Sequence, residues 1–191
     1  RSVMVNRRED ILREAARLFR ENGYERTSVR EIAEAVDMQS GSLFYHFKSK
    51  EDILVEIMGM GIDGLISRLN AALEGVESPR ERLLAWLTVH LAAMLEDFPD
   101  AMRVYLYEWR SLSPEARAVL IAQRDSYEAR VSALLDELAA AGLVRGDIKL
   151  FRLFLLGAVN WTAQWYNPQG GLSARAIAEQ YLNFVLPVTD H

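Results

Sequence analysis

Apolar residues recur along this chain at three- and four-residue spacing, and strand-like alternation between turn signals is missing. The pattern predicts an all-α protein of about nine helices. After Asn6, Ile11, Leu12, Ala15, Leu18 and Phe19 share one face, and Gly23 ends that helix. Ser28 with Glu31 forms a capping box for a short helix to Ala35, and a turn at 36–38 leads to a second short helix over 39–46. Ser49 opens a longer helix through Ile53, Ile57, Ile62, Leu65 and Leu69. Ser78-Pro79, Ser113-Pro114, Asp147 and Ser173 each read as a helix start, and Phe98-Pro99-Asp100 restarts the chain for another. The last helix runs to Leu186 before Pro187. The natural division lies just past Ser49, predicting domains over 1–52 and 53–191.

Composition narrows the class. The chain has 191 residues, is half apolar, and has no run near the ~18 apolar residues of a membrane span. The first residues, RSVMVNRRED, contain no apolar signal core, so a cytoplasmic location is expected, with no membrane partner. Without cysteine there are no disulfides, thiolate metal sites or cysteine nucleophiles, and histidines at 46, 90 and 191 make no ligand spacing. No metal, cofactor or catalytic residue is expected. The net charge of −5 is uneven: residues 1–50 carry ten Lys and Arg against eight Asp and Glu, the remainder twelve against nineteen. A locally basic region on an acidic body suits a local anionic partner; a difference this small also suits ordinary surface scatter.

The two short helices are a helix-turn-helix pattern, a unit that presents the start of its second helix to the DNA major groove. That start is Gln39-Ser40-Gly41-Ser42, all small or hydrogen-bonding. Gln39 suits adenine, and Gly41 admits close approach. Tyr45, His46, Lys48 and Lys50 suit phosphates, with Lys50 in the first turn of the next helix. From Met38 to Lys50 there is no acid to repel a phosphate backbone. A helical hairpin with a solvated polar face accounts for the same pattern.

The wording of the stretch decides between them. TSVREIAEAVDMQSGSLFYHFKSKEDIL, with NGY at 22–24, closely resembles the DNA-binding domain of the TetR family of bacterial transcriptional repressors over residues 8–55. Carried over position by position, the resemblance implies Thr27 and Arg30 near phosphates. It implies Gln39, Ser40, Gly41 and Ser42 at bases, and Tyr45, His46, Lys48 and Lys50 at the backbone. There are departures: Ser40 stands where lysine or arginine is common, Phe44 where a tyrosine is, and Asp37 where a turn glycine is. They leave the DNA role and obscure the operator sequence.

The resemblance also implies a homodimer joined by the last two helices, here Leu153, Leu156, Gly157, Trp165, Ile177, Tyr181 and Phe184. It implies a small-molecule effector held in the body. Trp86, His90 and Met94 recur at spacing of four, followed by Met102, Tyr105, Leu106 and Trp109, then Tyr127, Asn160, Trp161 and Gln164. With Met58 and Ile62 from the connecting helix, these aromatics, methionines and few polar groups suit an effector pocket or a plain core. The ending GAVNWTAQWYNPQGGLSARAIAEQ looks like the tail of TetR-type repressors of fatty-acid and sterol breakdown, which implies an acyl-coenzyme A thioester, with Arg103, Arg110, Arg124 and Arg152 toward its phosphates. A drug-like hydrophobic effector, and a small all-α enzyme using the aromatic cavity, are the alternatives. Glycines 59, 61 and 64 each cost a helix interior about 1 kcal/mol, as a hinge or for close packing.

Overall fold

The computed structural model describes residues 2–186, with side chains from Arg7 onward; Pro187 and His191 lie outside the described residues. Nine α-helices are present among them and no strand: α1 (Ser2–Asn22), α2 (Val29–Ala35), α3 (Ser40–Leu43), α4 (Lys50–Leu73), α5 (Pro79–Ala92), α6 (Pro99–Tyr107), α7 (Pro114–Ala140), α8 (Ile148–Trp165) and α9 (Ala174–Val185). A π-wound segment, Ala93–Asp97, follows α5, and a 3-10 turn, Trp109–Ser111, follows α6. α1 is helical from Ser2, so Asn6 lies inside it rather than at its start.

Hydroxyls and carboxylates predicted as caps perform that role. Ser28 and Glu31 close the capping box at 3.1 and 2.7 Å. Ser49 accepts from Asp52 N, Ser113 from Ala116 N, Asp147 from Leu150 N and Ser173 from Ala176 N, each within 3.2 Å. Each such bond is worth about 1 kcal/mol, so the helix starts are set locally.

The chain forms two compact units, and neither is continuous. The first comprises residues 1–61 and 100–123. Ile11, Phe19, Ile32, Leu43, Ile53 and Leu54 form its core, joined by Val104, Leu112 and Leu120 from the second segment. Three carboxylates stitch the segments together: Asp100 to Arg20 (3.1 Å), Glu108 to the Tyr24 amide (3.2 Å), and Glu51 to the Ser113 amide (2.6 Å). The second unit comprises 62–99 and 124–191. In it α5 packs on α9 and α8, around Leu83, Leu87, Leu91, Leu155, Val159 and Leu182. The Tyr181 hydroxyl reaches Thr162 Oγ1 at 2.7 Å, and Glu96 accepts the Ala174 amide at 2.7 Å.

α4 runs unbroken through its three glycines. A Cβ at 59 would sit 3.2 Å from Gln123 Oε1, one at 61 would lie 3.6 Å from Met102 Sδ, and one at 64 would lie 3.5 Å from Phe98 Cζ. Each glycine therefore admits a close neighbour within its own unit.

The turn after α2 depends on one backbone conformation. Asp37 has φ +54°, and its amide and that of Met38 bond back to Glu34 O and Ala33 O at 3.2 and 2.8 Å, a Schellman closure. Aspartate tolerates this region better than most residues, and glycine better still. We expect Asp37→Ala to lower stability by about 1 kcal/mol and Asp37→Gly to match or exceed the wild type. Urea unfolding at one fixed protein concentration checks this ordering.

Candidate functional site

α3 is only four residues long, shorter than the predicted 39–46, and it is positioned by burial rather than by its own hydrogen bonds. Leu43 and Phe47 are buried on one side. The backbone continues as turns, with Tyr45 N on Ser42 O and His46 N on Leu43 O at 3.2 and 3.0 Å. Arg8 braces the far end: its guanidinium donates to the His46 carbonyl and to Glu56, and lies 4.2 Å over the Phe47 ring.

This scaffold sorts the predicted DNA residues. Gln39, Gly41, Lys48 and Arg30 are exposed, and Tyr45 is 93% exposed. Ser40, Ser42 and His46 are half-buried. Gln39 is the N-cap of α3 but makes no capping bond with its side chain, and a Cβ at Gly41 would meet nothing within 4 Å. Two expectations are corrected. Thr27 is 0% exposed, and its hydroxyl donates to Gly23 O (2.8 Å) within reach of Leu18 O (3.3 Å), so it secures the turn after α1 and reaches no phosphate. Lys50 donates to Tyr24 O and Thr27 O at 2.9 and 3.1 Å and lies 4.1 Å over the Tyr24 ring, so its ammonium is engaged inside the unit. Burial, helped by the nearby carboxylates of Glu51 and Glu25, pushes the Tyr24 phenol up to about 12.

Two features were missed. Arg26 is exposed in the turn before α2, and Arg7 donates to the Asp37 carbonyl at 3.4 Å, beside the helix pair. The only signal for either in the sequence was the basic bias of residues 1–50. Phe44, the departure from tyrosine, is half-exposed beside Tyr45, an apolar surface suited to a thymine methyl group.

The predicted effector residues do not all lie in one unit. Met58, Met102, Tyr105, Leu106 and Trp109 belong to the first, where Met58 and Met102 are buried and Tyr105 and Trp109 meet edge to face. Ile62, Trp86, His90, Met94, Tyr127 and Asn160 belong to the second. There, Trp86 Nε1 donates to Tyr127 Oη at 2.7 Å, Tyr127 Oη lies 2.6 Å from His90 Nδ1, and His90 Nε2 lies 3.1 Å from Asn160 Oδ1. Burial holds the His90 imidazole well below its ordinary value, to about 4, so the ring is neutral. Arg124 pairs with Asp125 and Glu128, and Arg152 with Glu128 at 3.2 Å, so both meet carboxylates already. A groove of about 570 Å³ in the same unit, bounded by Ala71, Glu74, Arg82, Arg130 and Leu134, contains none of the predicted effector residues.

α8 carries an apolar stripe on its outer side: Leu150, Leu153, Phe154, Gly157, Trp161 and Trp165 are exposed, as is Phe184 of α9, at 74%. Two further corrections follow. Trp161 is 66% exposed in that stripe, not enclosed with His90, and Gln164 is exposed with it. Ile177 is 3% exposed and belongs to the core between α9 and its neighbours. Leu156 and Tyr181 are half-buried.

Residues 11–57 match the family described as bacterial regulatory proteins, tetR family, and residues 76–188 match the tetracyclin repressor-like C-terminal domain. The chain is 31% identical over 188 residues to the HTH-type transcriptional repressor KstR2 of Mycolicibacterium smegmatis, covering 97% of this chain and 91% of that protein. Among solved structures, AibR in complex with isovaleryl coenzyme A and operator DNA has a TM-score of 0.87 at 29% identity, over 96% of this chain and all of that one. The structure of the superantigen PfiT has a TM-score of 0.80 at 44% identity, over 96% and 97% of the two chains.

The neutral His90 gives a measurable pH dependence. The unfolded chain takes up the histidine proton near pH 6.5, and the folded chain only near pH 4. Between these values the unfolded state binds more protons, so His90's contribution to stability is full above pH 6.5 and falls as the pH drops. We expect the wild type to lose about 2–3 kcal/mol from this group between pH 7 and 4.5, and His90→Gln to lack that part of the slope. Denaturant titrations of both proteins across this range isolate the difference.

Proposed function

This chain belongs to the TetR family of bacterial regulatory proteins, and on that premise we propose that it is a homodimeric, effector-responsive repressor of transcription in the cytoplasm. The observation that carries the reading is the sorting around α3. Leu43 and Phe47 are buried, while Gln39, Gly41, Phe44, Tyr45 and Lys48 project outward with no carboxylate from Met38 to Lys50.

Residues 1–52 serve as the DNA-reading part and 53–191 as the effector and dimer part. Gln39, Ser40, Gly41, Ser42 and Phe44 face base edges. Arg30, Tyr45, His46 and Lys48, joined by Arg26, meet phosphates, which supply most of the affinity and none of the sequence information. One such head holds few phosphates, so two are needed, at half-sites about one helical turn apart or a multiple of it. The α8 stripe with Phe184 supplies the dimer contact: Trp161, Trp165, Leu153 and Phe154 are large apolar side chains exposed in one row on a single chain.

Trp86, His90, Met94, Tyr127 and Asn160 contribute to the effector site. An acyl-coenzyme A thioester is the effector class this reading favours; the relative AibR was solved with isovaleryl coenzyme A and operator DNA. Effector binds the DNA-incompetent arrangement more tightly and shifts the population toward it. The protein holds no catalytic role in this scheme.

Selection from a random duplex pool, followed by fluorescence anisotropy, tests the DNA reading. Lys48→Ala should weaken every duplex alike and reduce the slope of log K against log salt by about 1. Gln39→Ala should cost about 1–3 kcal/mol on the selected sequence and relax one base position. Recovery of no duplex above non-specific binding would sink the proposal. For the dimer, light scattering should show Trp161→Asp with Phe184→Asp as a folded monomer whose operator affinity falls at least tenfold.

A further inference from the structure

α9 carries no acid in its first turn and no base in its last, so its own sequence leaves the partial charges at its two ends unanswered. Side chains borne by α5 and the π-wound segment answer them instead. At the start of α9, Glu96 Oε1 accepts the Ala174 amide at 2.7 Å. At its end, the Arg80 guanidinium donates to the Leu186 carbonyl, and its Nη2 donates to Asn183 Oδ1 at 3.0 Å. The Ala174 amide and the Leu186 carbonyl are main-chain groups that a helix terminus leaves without an intrahelical partner. α9 packs along α5 and is bonded to it, or to the segment that continues it, at both ends.

A regular helix could not reach both ends in this way. Glu96 follows Arg80 by sixteen positions. At about 100° per residue, an unbroken α-helix would set the two about 160° apart, on nearly opposite faces. The π turn removes that mismatch. Phe98 N bonds to Ala93 O, five residues back, at 3.2 Å. Such a turn takes one residue more than an α turn, which returns Glu96 by about 100°, to about 60° from the Arg80 direction. The same turn is braced on α4: Asp97 meets Arg68 at 2.9 Å, and Arg68 lies 5.3 Å over the Phe98 ring. We propose that Arg80 and Glu96 are positioning residues for the dimer contact, that together they fix the axial position of α9 along α5, and that the π turn is the phase correction that lets one helix hold both ends. Phe184, exposed on the last turn of α9 beside Asn183, takes its place from that register. A slip of one residue would move it by about 1.5 Å and turn it by about 100°. This rests on the dimer reading above and adds what sets the geometry of the surface.

Sedimentation equilibrium of the full chain gives the dimer dissociation constant for the wild type, Arg80→Ala, Glu96→Ala and the double variant. The two contacts lie about 18 Å apart along α9, so effects that are only local should multiply. Two contacts that hold one coordinate behave differently, because either alone keeps α9 in place. Each single variant should weaken the dimer about threefold or less. The double variant should weaken it at least about fivefold beyond the product of the two. Glu96→Gln keeps an acceptor for the Ala174 amide, so Arg80→Ala with Glu96→Gln should match Arg80→Ala alone. Thermal melts by circular dichroism at one concentration show which variants are folded. If the double variant is not, Arg80→Lys, which drops the second donor but keeps the charge, replaces Arg80→Ala in the same cycle under the same criterion. Effects that multiply, or a double variant that dimerises like the wild type, overturn this inference and leave the dimer standing. A wild type that stays monomeric at every concentration overturns both.

Discussion

Seating of Leu43 and Phe47 in the core of the first unit is the contact on which the reading head depends. A four-residue helix has too few hydrogen bonds to persist in water, since nucleation alone is unfavourable. Burying two large side chains contributes about 1.5–3 kcal/mol each and fixes which way the short helix faces. Once they are inside, Gln39, Gly41, Tyr45 and Lys48 must be outside. The Schellman turn at Asp37 and the Arg8 brace on His46 and Glu56 fix the two ends of the same segment. Lys50 and Thr27 hold the turn before α2 through main-chain carbonyls. Polar groups that a motif assigns to a ligand are thus partly employed in building the platform.

That platform is larger than the motif. Residues 100–123 share its core and are joined to α1, the following turn and α4 by Asp100, Glu108 and Glu51. Most of these carboxylate contacts are partly exposed, so they add specificity of register more than energy. α4 and α7 each begin in one unit and end in the other. Glycines 59, 61 and 64 lie around that passage in α4, each against a side chain that a larger residue would press or touch.

The second unit keeps a leucine-rich core but also places polar groups within it and large apolar side chains outside it. Its inside holds a chain of four polar groups, and its outside holds Leu153, Phe154, Trp161, Trp165 and Phe184. Pairing lowers the cost of burying polar groups, and a contiguous row of exposed aromatics is uncommon on a monomer. The exposed row on α8 is a large apolar surface for a single chain.

Much of this was decided locally and could be read from the residues. Helix starts followed from Ser28, Ser49, Ser78, Ser113, Asp147 and Ser173, because a cap bonds to an amide two or three residues away. The helix-turn-helix wording was likewise contiguous, and the family matches over 11–57 and 76–188 agree with it. What a side chain faces was another matter. Thr27 and Arg30 are three residues apart, yet one is sealed and the other in water. Trp86 and Trp161 read alike in sequence, but one donates into the core and the other lies open on α8. Periodicity assigns a residue to a face of its helix and does not say whether that face meets a neighbour, a ligand, another chain or solvent. Helices distant in sequence, such as α5 and α9, settled that, because burial is a property of what packs together and not of the local run of residues.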